Sequence, residues 1–454
     1  MSLAGLLNAA TSLPGPGTLA AAGAGGIAVV AGLVVLFRRH PEALPLLAIG
    51  ALPFRLPIAA DGRTVNLLIP LYLVIGAGVV AQLVPRLLAR RDPASPTAPG
   101  ELDPAIRWAQ RLLLASVVLY ALQSAYSDDR AKALENLAVF YIPFGLLFLL
   151  LRDIDWTARL LRRCLGLAVL LAVLFAGVGF IEYARKSLFL NPKVVEANQY
   201  DNYFRVNSVF FDPSIYGRFL ALVMIAVTTA VLWGSRRTAQ IGAAALAWLL
   251  AGLVTSFSQS SLAALLLGLA VLAAWRWDLR RTIYVLGGLA ALGGAVLLLA
   301  PASWHFGLKG SKGSASNATS GRATLVTGGL ELFVERPLQG YGSGSFERQF
   351  KAHASASRAT AQNATSASHT IPVTVAAEQG VLGLAVYIGL LVTSLMALFT
   401  GAGRSPPRIA IAAAFAALVL HTWTYADFLE DPFTWALLAI GISLARVRPG
   451  RAGQ

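Results

Sequence analysis

Continuous apolar runs of about 20 residues, parted by short polar segments carrying arginines, recur along the whole 454-residue chain. At a rise of about 1.5 Å per residue, a helix of that length crosses the hydrocarbon core of a bilayer. The runs are continuous and do not alternate, so helices, not barrel strands, would satisfy the backbone in lipid. They lie near 18–37, 42–60, 66–85, 109–126, 133–151, 160–182, 215–233, 239–256, 257–275, 282–300, 370–399, 406–424 and 429–446. Pro53 and Pro57 interrupt the second, which reads as a bent or partial crossing. The predicted fold class is all-α, a polytopic integral membrane protein of 12–13 transmembrane helices. Residues 1–300 form the N-terminal membrane part with a shorter outer loop near 183–214. One large loop, 301–369, precedes the C-terminal membrane part and tail, 370–454.

Composition supports the pattern. The chain is 56% hydrophobic and 13% charged, against about 25% charged residues in soluble domains. Cys164 is the only cysteine, which excludes intrachain disulfides and Cys-based zinc sites. No basic stretch precedes the first apolar run, which reads as a retained span and not a cleaved signal peptide.

The net charge of +15 is spread over many short loops, which argues against a nucleic-acid partner. Arg38, Arg86, Arg107, Arg111, Arg152, Arg163, Arg236, Arg276, Arg408 and Arg446 fall in one alternating set of loops. The other set holds fewer, among them Arg55, Arg130, Lys132, Arg185 and Arg205. The positive-inside rule then places the first set and the C-terminus in the cytoplasm, with 183–214 and 301–369 on the other side. Thirteen spans put the N-terminus outside, twelve inside.

The long segment carries seven basic residues (Lys309, Lys312, Arg322, Arg336, Arg348, Lys351, Arg358) against Glu331, Glu335 and Glu347. Solvated surface accounts for any single lysine, whereas the collective excess suits a phosphate-bearing partner at the membrane surface. Helix-forming stretches are expected at 322–336 and 343–353, parted by the turn Pro337-Leu338-Gln339-Gly340-Tyr341-Gly342-Ser343-Gly344. Residues 311–320 and 354–368 read as the loop's edges and 92–104 as a linker. No strand precedes the glycines, so they carry no Rossmann or P-loop meaning; a tight turn is the plainer reading.

Arg218 falls just inside an apolar run, where it either snorkels to the surface or lines an inward cavity. Arg205 lies just outside the same run, with a salt bridge to Asp201 or Asp212 as its plain alternative. His369 opens another apolar run and titrates near neutral pH, so it can accept a proton from a hydroxyl. Glu378 lies further along that run, where a buried carboxylate needs a partner. His305, His353 and His421 lack comparable context, and no metal-ligand spacing appears in the outward loops.

Arg205 with Phe210 and Asp212-Pro213, then Ser320-Gly321-Arg322, then Pro337-Leu338-x-Gly340-x-Gly342-x-x-x-Phe346, then His369-x8-Glu378-x-Gly380-x-x-Gly383 occur in that order. Their combination over roughly 200–390 resembles the bacterial O-antigen ligase and polymerase-like superfamily, the lipopolysaccharide O-antigen ligase in particular. Two departures stand out. Phe257-Ser258-Gln259-Ser260-Ser261 lacks the arginine common there, and Thr370 replaces a common asparagine after the histidine.

The resemblance implies a GT-C-like, inverting, metal-independent glycosyltransferase at the periplasmic face of the inner membrane. Its donor would be O-antigen on undecaprenyl diphosphate and its acceptor a sugar hydroxyl of lipid A–core, with membrane lipids around it and no cofactor. Arg205, Arg218 and Arg322 would hold the diphosphate, His369 would serve as base and Glu378 would position it or an arginine. An O-antigen polymerase would use the same donor with a second lipid-linked glycan as acceptor; a protein O-oligosaccharyltransferase is a third family reading. A polysaccharide or lipid transporter is the reading from another class.

Overall fold

The computed structural model describes residues 16–60, 63–89, 103–190, 204–277, 280, 284, 314–353, 368 and 370–446. Among the described residues the fold is helical, with one two-stranded antiparallel sheet. Among the described residues nine helices are long and apolar enough to cross a membrane. They are Ile69–Leu88, Pro104–Ser124, Arg130–Arg152, Ala158–Arg185, Pro213–Trp233, Arg236–Thr255, Gln259–Arg276, Ile371–Phe399 and Pro406–Thr424, joined by the shorter apolar helix Pro432–Arg446. The first predicted run lies in a helix over Pro16–Arg39. The span expected at 282–300, Tyr284 apart, and most of the 92–104 linker lie outside the described residues.

One expected span is corrected. The run at 42–60 is a helix only over Ala43–Ala51. It then enters an antiparallel pair of strands, Leu56–Ala60 with Arg63–Leu67. Pro53 and Pro57 forbid a continuous helix here. The helix expected at 322–336 is longer, Ser314–Glu335, and the second short one is Phe346–His353. Alanine and serine at 314–320 do not oppose helix, so low complexity was a poor guide there.

Helix 213–233 lies at the centre of one core and is mostly buried, whereas 236–255 is mostly exposed and lies at the rim. Around it pack 158–185, 236–255, 259–276 and 406–424. A second core joins the N-terminal helices to 371–399 and 432–446, where Phe144, Phe415 and Trp435 are fully buried. Trp275, Phe433 and Leu437 pack against both cores.

Proline inside the 130–152 helix shows how polar backbone is satisfied. Pro143 cannot donate to the Val139 carbonyl, and the Tyr72 hydroxyl donates to it instead at 2.8 Å. A π-helical turn at Leu137–Tyr141 accommodates the same break.

Candidate functional site

The 371–399 helix is broken at Gly380, whose φ of 65° and ψ of −164° are not helical. Such a break frees backbone groups, which inside a membrane protein must find partners. The 337–344 turn supplies most of them. Tyr341 N–H donates to the Ala377 carbonyl (3.1 Å) and Gly342 N–H to the Glu378 carbonyl (2.8 Å), while Val381 N–H donates to the Pro337 carbonyl (2.7 Å). Gln123 Nε2 donates to another buried carbonyl at the break, that of Gln379, at 3.2 Å. The turn is therefore a strap docked into the gap in a helix.

Its glycines follow from that docking. Gly340, Gly342 and Gly344 all have positive φ. A Cβ on Gly342 would lie 2.3 Å from the Ser127 Cα, so the backbone approaches too closely for any side chain. Residues 126–128 hold the strap from the other side. Tyr126 hydroxyl donates to the Gln339 carbonyl (2.8 Å), Ser127 Oγ to the Ser343 carbonyl (2.8 Å), and Asp128 N–H to the Tyr341 carbonyl (3.1 Å). Tyr341, with Arg336 4.3 Å over its ring, has its phenol pushed up to about 12 by burial and by Glu335.

Glu378 is the anchor of this arrangement. Its carboxylate accepts Gly344 N–H at 2.9 Å and Phe346 N–H at 3.0 Å. Phe346 opens the 346–353 helix, and a carboxylate at a helix N-terminus satisfies free N–H groups and the helix dipole together. Leu325, Leu332, Tyr341, Phe346, Phe350 and Ala377 bury one another beside it. That cluster fixes the 314–335 helix, on which Arg322 lies under two turns before Gly328. Only the backbone of Arg322 is described.

His369 lies outside the described residues, but both neighbours are pinned. Ser368 N–H donates to Thr374 Oγ1 (3.0 Å), Ser368 Oγ donates to the Thr370 carbonyl (2.7 Å), and Thr370 Oγ1 donates to the Trp423 carbonyl (2.7 Å). The segment beginning there, 423–431, is the meeting point of the site. Ser260 Oγ donates to the Thr424 carbonyl (3.1 Å). Arg205 Nε donates to the Ser256 carbonyl (3.3 Å), beside the Val206 N–H bond to the Thr255 carbonyl (3.2 Å). Asp212 caps the 213–233 helix, accepting from Ser214 and Ile215 N–H.

Arg218 is 1% exposed. Its Nη2 lies 2.9 Å from Asp431 Oδ2. Nη1 donates to the Ala426 (3.3 Å) and Asp427 (3.4 Å) carbonyls. The guanidinium therefore reaches inward and fastens the 426–431 loop. Burial holds the Asp431 carboxyl above the usual carboxylate range despite the neighbouring Arg218. Asn136 Nδ2 donates to Glu430 Oε1 (3.1 Å) and to the Tyr120 hydroxyl (3.0 Å). Burial and Asp427 push the Glu430 carboxyl up to about 8.

Beneath this face, His421 Nε2 lies 3.1 Å from Ser261 Oγ, which donates to the Ser214 carbonyl at 3.2 Å. His421, without context along the chain, is a fully buried link between three helices.

Arg218 and the residues flanking His369 thus converge on 423–431. Arg205 is tied to the 256–260 segment that reaches Thr424, and Glu378 joins them through the strap and residues 120–136. Sequence reasoning passed over Asp427, Glu430 and Asp431. Their signal was there: three carboxylates immediately before an apolar run, which demand partners when buried. Among the described residues no group of three or more His, Cys, Asp or Glu side chains could hold a metal ion.

Residues 244–388 match the family model for the O-antigen ligase, Wzy_C. The matched stretch takes in the strap, Glu378 and Gly380 and agrees with the resemblance to the O-antigen ligase and polymerase superfamily read from the sequence. Among curated proteins none matches the chain.

Proposed function

We propose that the chain is an O-antigen ligase that moves an O-antigen glycan from undecaprenyl diphosphate to a sugar hydroxyl of lipid A–core at the periplasmic face of the inner membrane. The observation that carries this reading is the family match over 244–388, which covers the same residues that build the strap on the broken helix. Arg205 and Arg322 would hold the donor diphosphate. A guanidinium fork suits phosphate oxygens and stays charged at any relevant pH, and fixed cations oppose charge that develops on the leaving group. Arg218, already paired with Asp431, would act by fixing the loop beside them.

His369 would orient the acceptor hydroxyl and take its proton as that oxygen attacks the anomeric carbon, with inversion and departure of the lipid diphosphate. The diphosphate leaves without protonation, so a second catalytic acid is not required. Glu378 would hold the strap that presents the 314–335 helix. The lipopolysaccharide profile of a deletion strain tests the reading. Loss of O-antigen with accumulation of lipid-linked polymer supports ligase, a single O-unit on core reassigns the chain as a polymerase, and an unchanged profile sinks both.

A further inference from the structure

A groove with a volume of about 500 Å³ lies between helices 104–124, 130–152 and 432–446. Its wall is apolar through Val117, Ile142, Leu146 and Leu149, and it opens toward the surrounding lipid where Leu114 and Ile142 are exposed. The strap docks at the 125–129 ends of the first two of these helices. The polar end of the groove is at their other ends, a full helix length away, where Arg107, Gln110, Arg111 and Arg152 line it.

Charge at that end is unbalanced. Asp153 is shared by Arg86 (3.1 Å), Arg152 (3.3 Å) and Arg446 (3.5 Å). Arg107 and Arg111 are exposed, with no carboxylate in ion-pair range among the described residues. Gln110 Oε1 accepts from Arg152 Nη1 at 3.3 Å, so Arg152 is held by Gln110 and Asp153 while Arg107 and Arg111 carry the surplus charge. Trp108, half-exposed with Arg111 5.4 Å over its ring, marks the headgroup level, where indoles gather.

An apolar slot open to lipid and ending in surplus guanidinium groups suits a phosphodiester headgroup with acyl chains attached. We propose that this groove binds an anionic phospholipid of the leaflet opposite the strap, which the basic-residue asymmetry makes the cytoplasmic one. Arg107 and Arg111 take the phosphate, and the slot beneath takes a chain. The site stands apart from the proposed reaction and does not depend on it.

Native mass spectrometry of the purified full chain, delipidated and titrated with dioleoyl phosphatidylglycerol or phosphatidylcholine, tests this. The wild type should retain phosphatidylglycerol preferentially. Arg107→Ala with Arg111→Ala, both at exposed positions, should weaken that binding roughly fivefold per arginine, as expected for about 1 kcal/mol per basic residue at an anionic surface. The double lysine variant should keep most of it. Gly145→Leu fills the slot without touching the arginines, since a Cβ there meets only Trp435, at 3.9 Å; it should also lose the lipid. Equal retention of the two lipids, or unchanged binding in the double alanine variant, overturns the proposal. So does a Gly145→Leu protein that melts like wild type yet binds as before, which would assign the effect to diffuse surface charge. Inorganic phosphate should not compete at millimolar concentration, and competition would show that the slot contributes nothing.

Discussion

Gly340 and Gly380 are each packed against the two backbone residues that precede the other. A Cβ on Gly340 would lie 2.3 Å from the Glu378 carbonyl oxygen, and one on Gly380 would lie 2.3 Å from the Leu338 carbonyl oxygen. The two glycines share the seam where the strap enters the broken helix, and both have a φ of +65°. Alanine at either position should cost about 1–3 kcal/mol in backbone strain alone, with the clash in addition. Thermal unfolding in detergent should therefore show a marked loss for Gly340→Ala and Gly380→Ala. Gly401→Ala is the control: its φ is +68° but only Arg408 Nη1, at 3.5 Å, is within reach, so its melting point should fall less.

Glu378→Gln should loosen the strap without unfolding the protein. Glutamine keeps one acceptor for the Gly344 and Phe346 N–H groups, and its amide donor faces the other. A lost charge-assisted bond with an unsatisfied buried N–H costs about 1–3 kcal/mol. Limited proteolysis should then cut 337–353 faster than in wild type; equal rates would remove Glu378 from the role of anchor.

Asp431→Asn leaves the Arg218 guanidinium buried without its counter-charge, a change that typically costs about 3–5 kcal/mol. Replacing both, Arg218→Met with Asp431→Leu, should cost less than the sum of the single changes. A double-mutant cycle read by thermal unfolding measures that coupling, and additivity would mean the pair does not fasten the loop.

The Glu430 carboxyl, raised to about 8 in the fold, binds its proton more tightly folded than unfolded. Its contribution to stability is complete below the ordinary carboxylate pKa, declines as the pH rises, and is gone once the pH passes about 8. The wild-type melting temperature should therefore fall between pH 5 and pH 8.5. Glu430→Gln keeps the acceptor for Asn136 and should flatten that slope.

In reconstituted transfer from a lipid-linked donor, His369→Ala should abolish product while the protein remains folded in the membrane. Arg322→Lys should be strongly impaired, because a lysine cannot reproduce a bidentate contact. Full activity in the first variant ends the proposed mechanism; wild-type turnover in the second leaves Arg322 a structural residue.

Much of this architecture was legible along the chain. Apolar run length alone located the spans, because lipid demands that each backbone group be satisfied within its own helix. The order of Arg205, Arg322, the glycine turn, His369 and Glu378 was enough to suggest the family. The ending of one predicted span in paired strands was foreshadowed by Pro53 and Pro57. Partnership was not legible. Nothing local tells that the turn at 337–344 fills a break at Gly380, that Glu378 faces two backbone N–H groups, or that Asp431 meets Arg218, whose positions are over two hundred residues apart. Periodicity and hydropathy report what each segment must bury, which is a property of neighbours in sequence. Which buried polar groups satisfy one another depends on how the helices pack, and only the tertiary structure decides that.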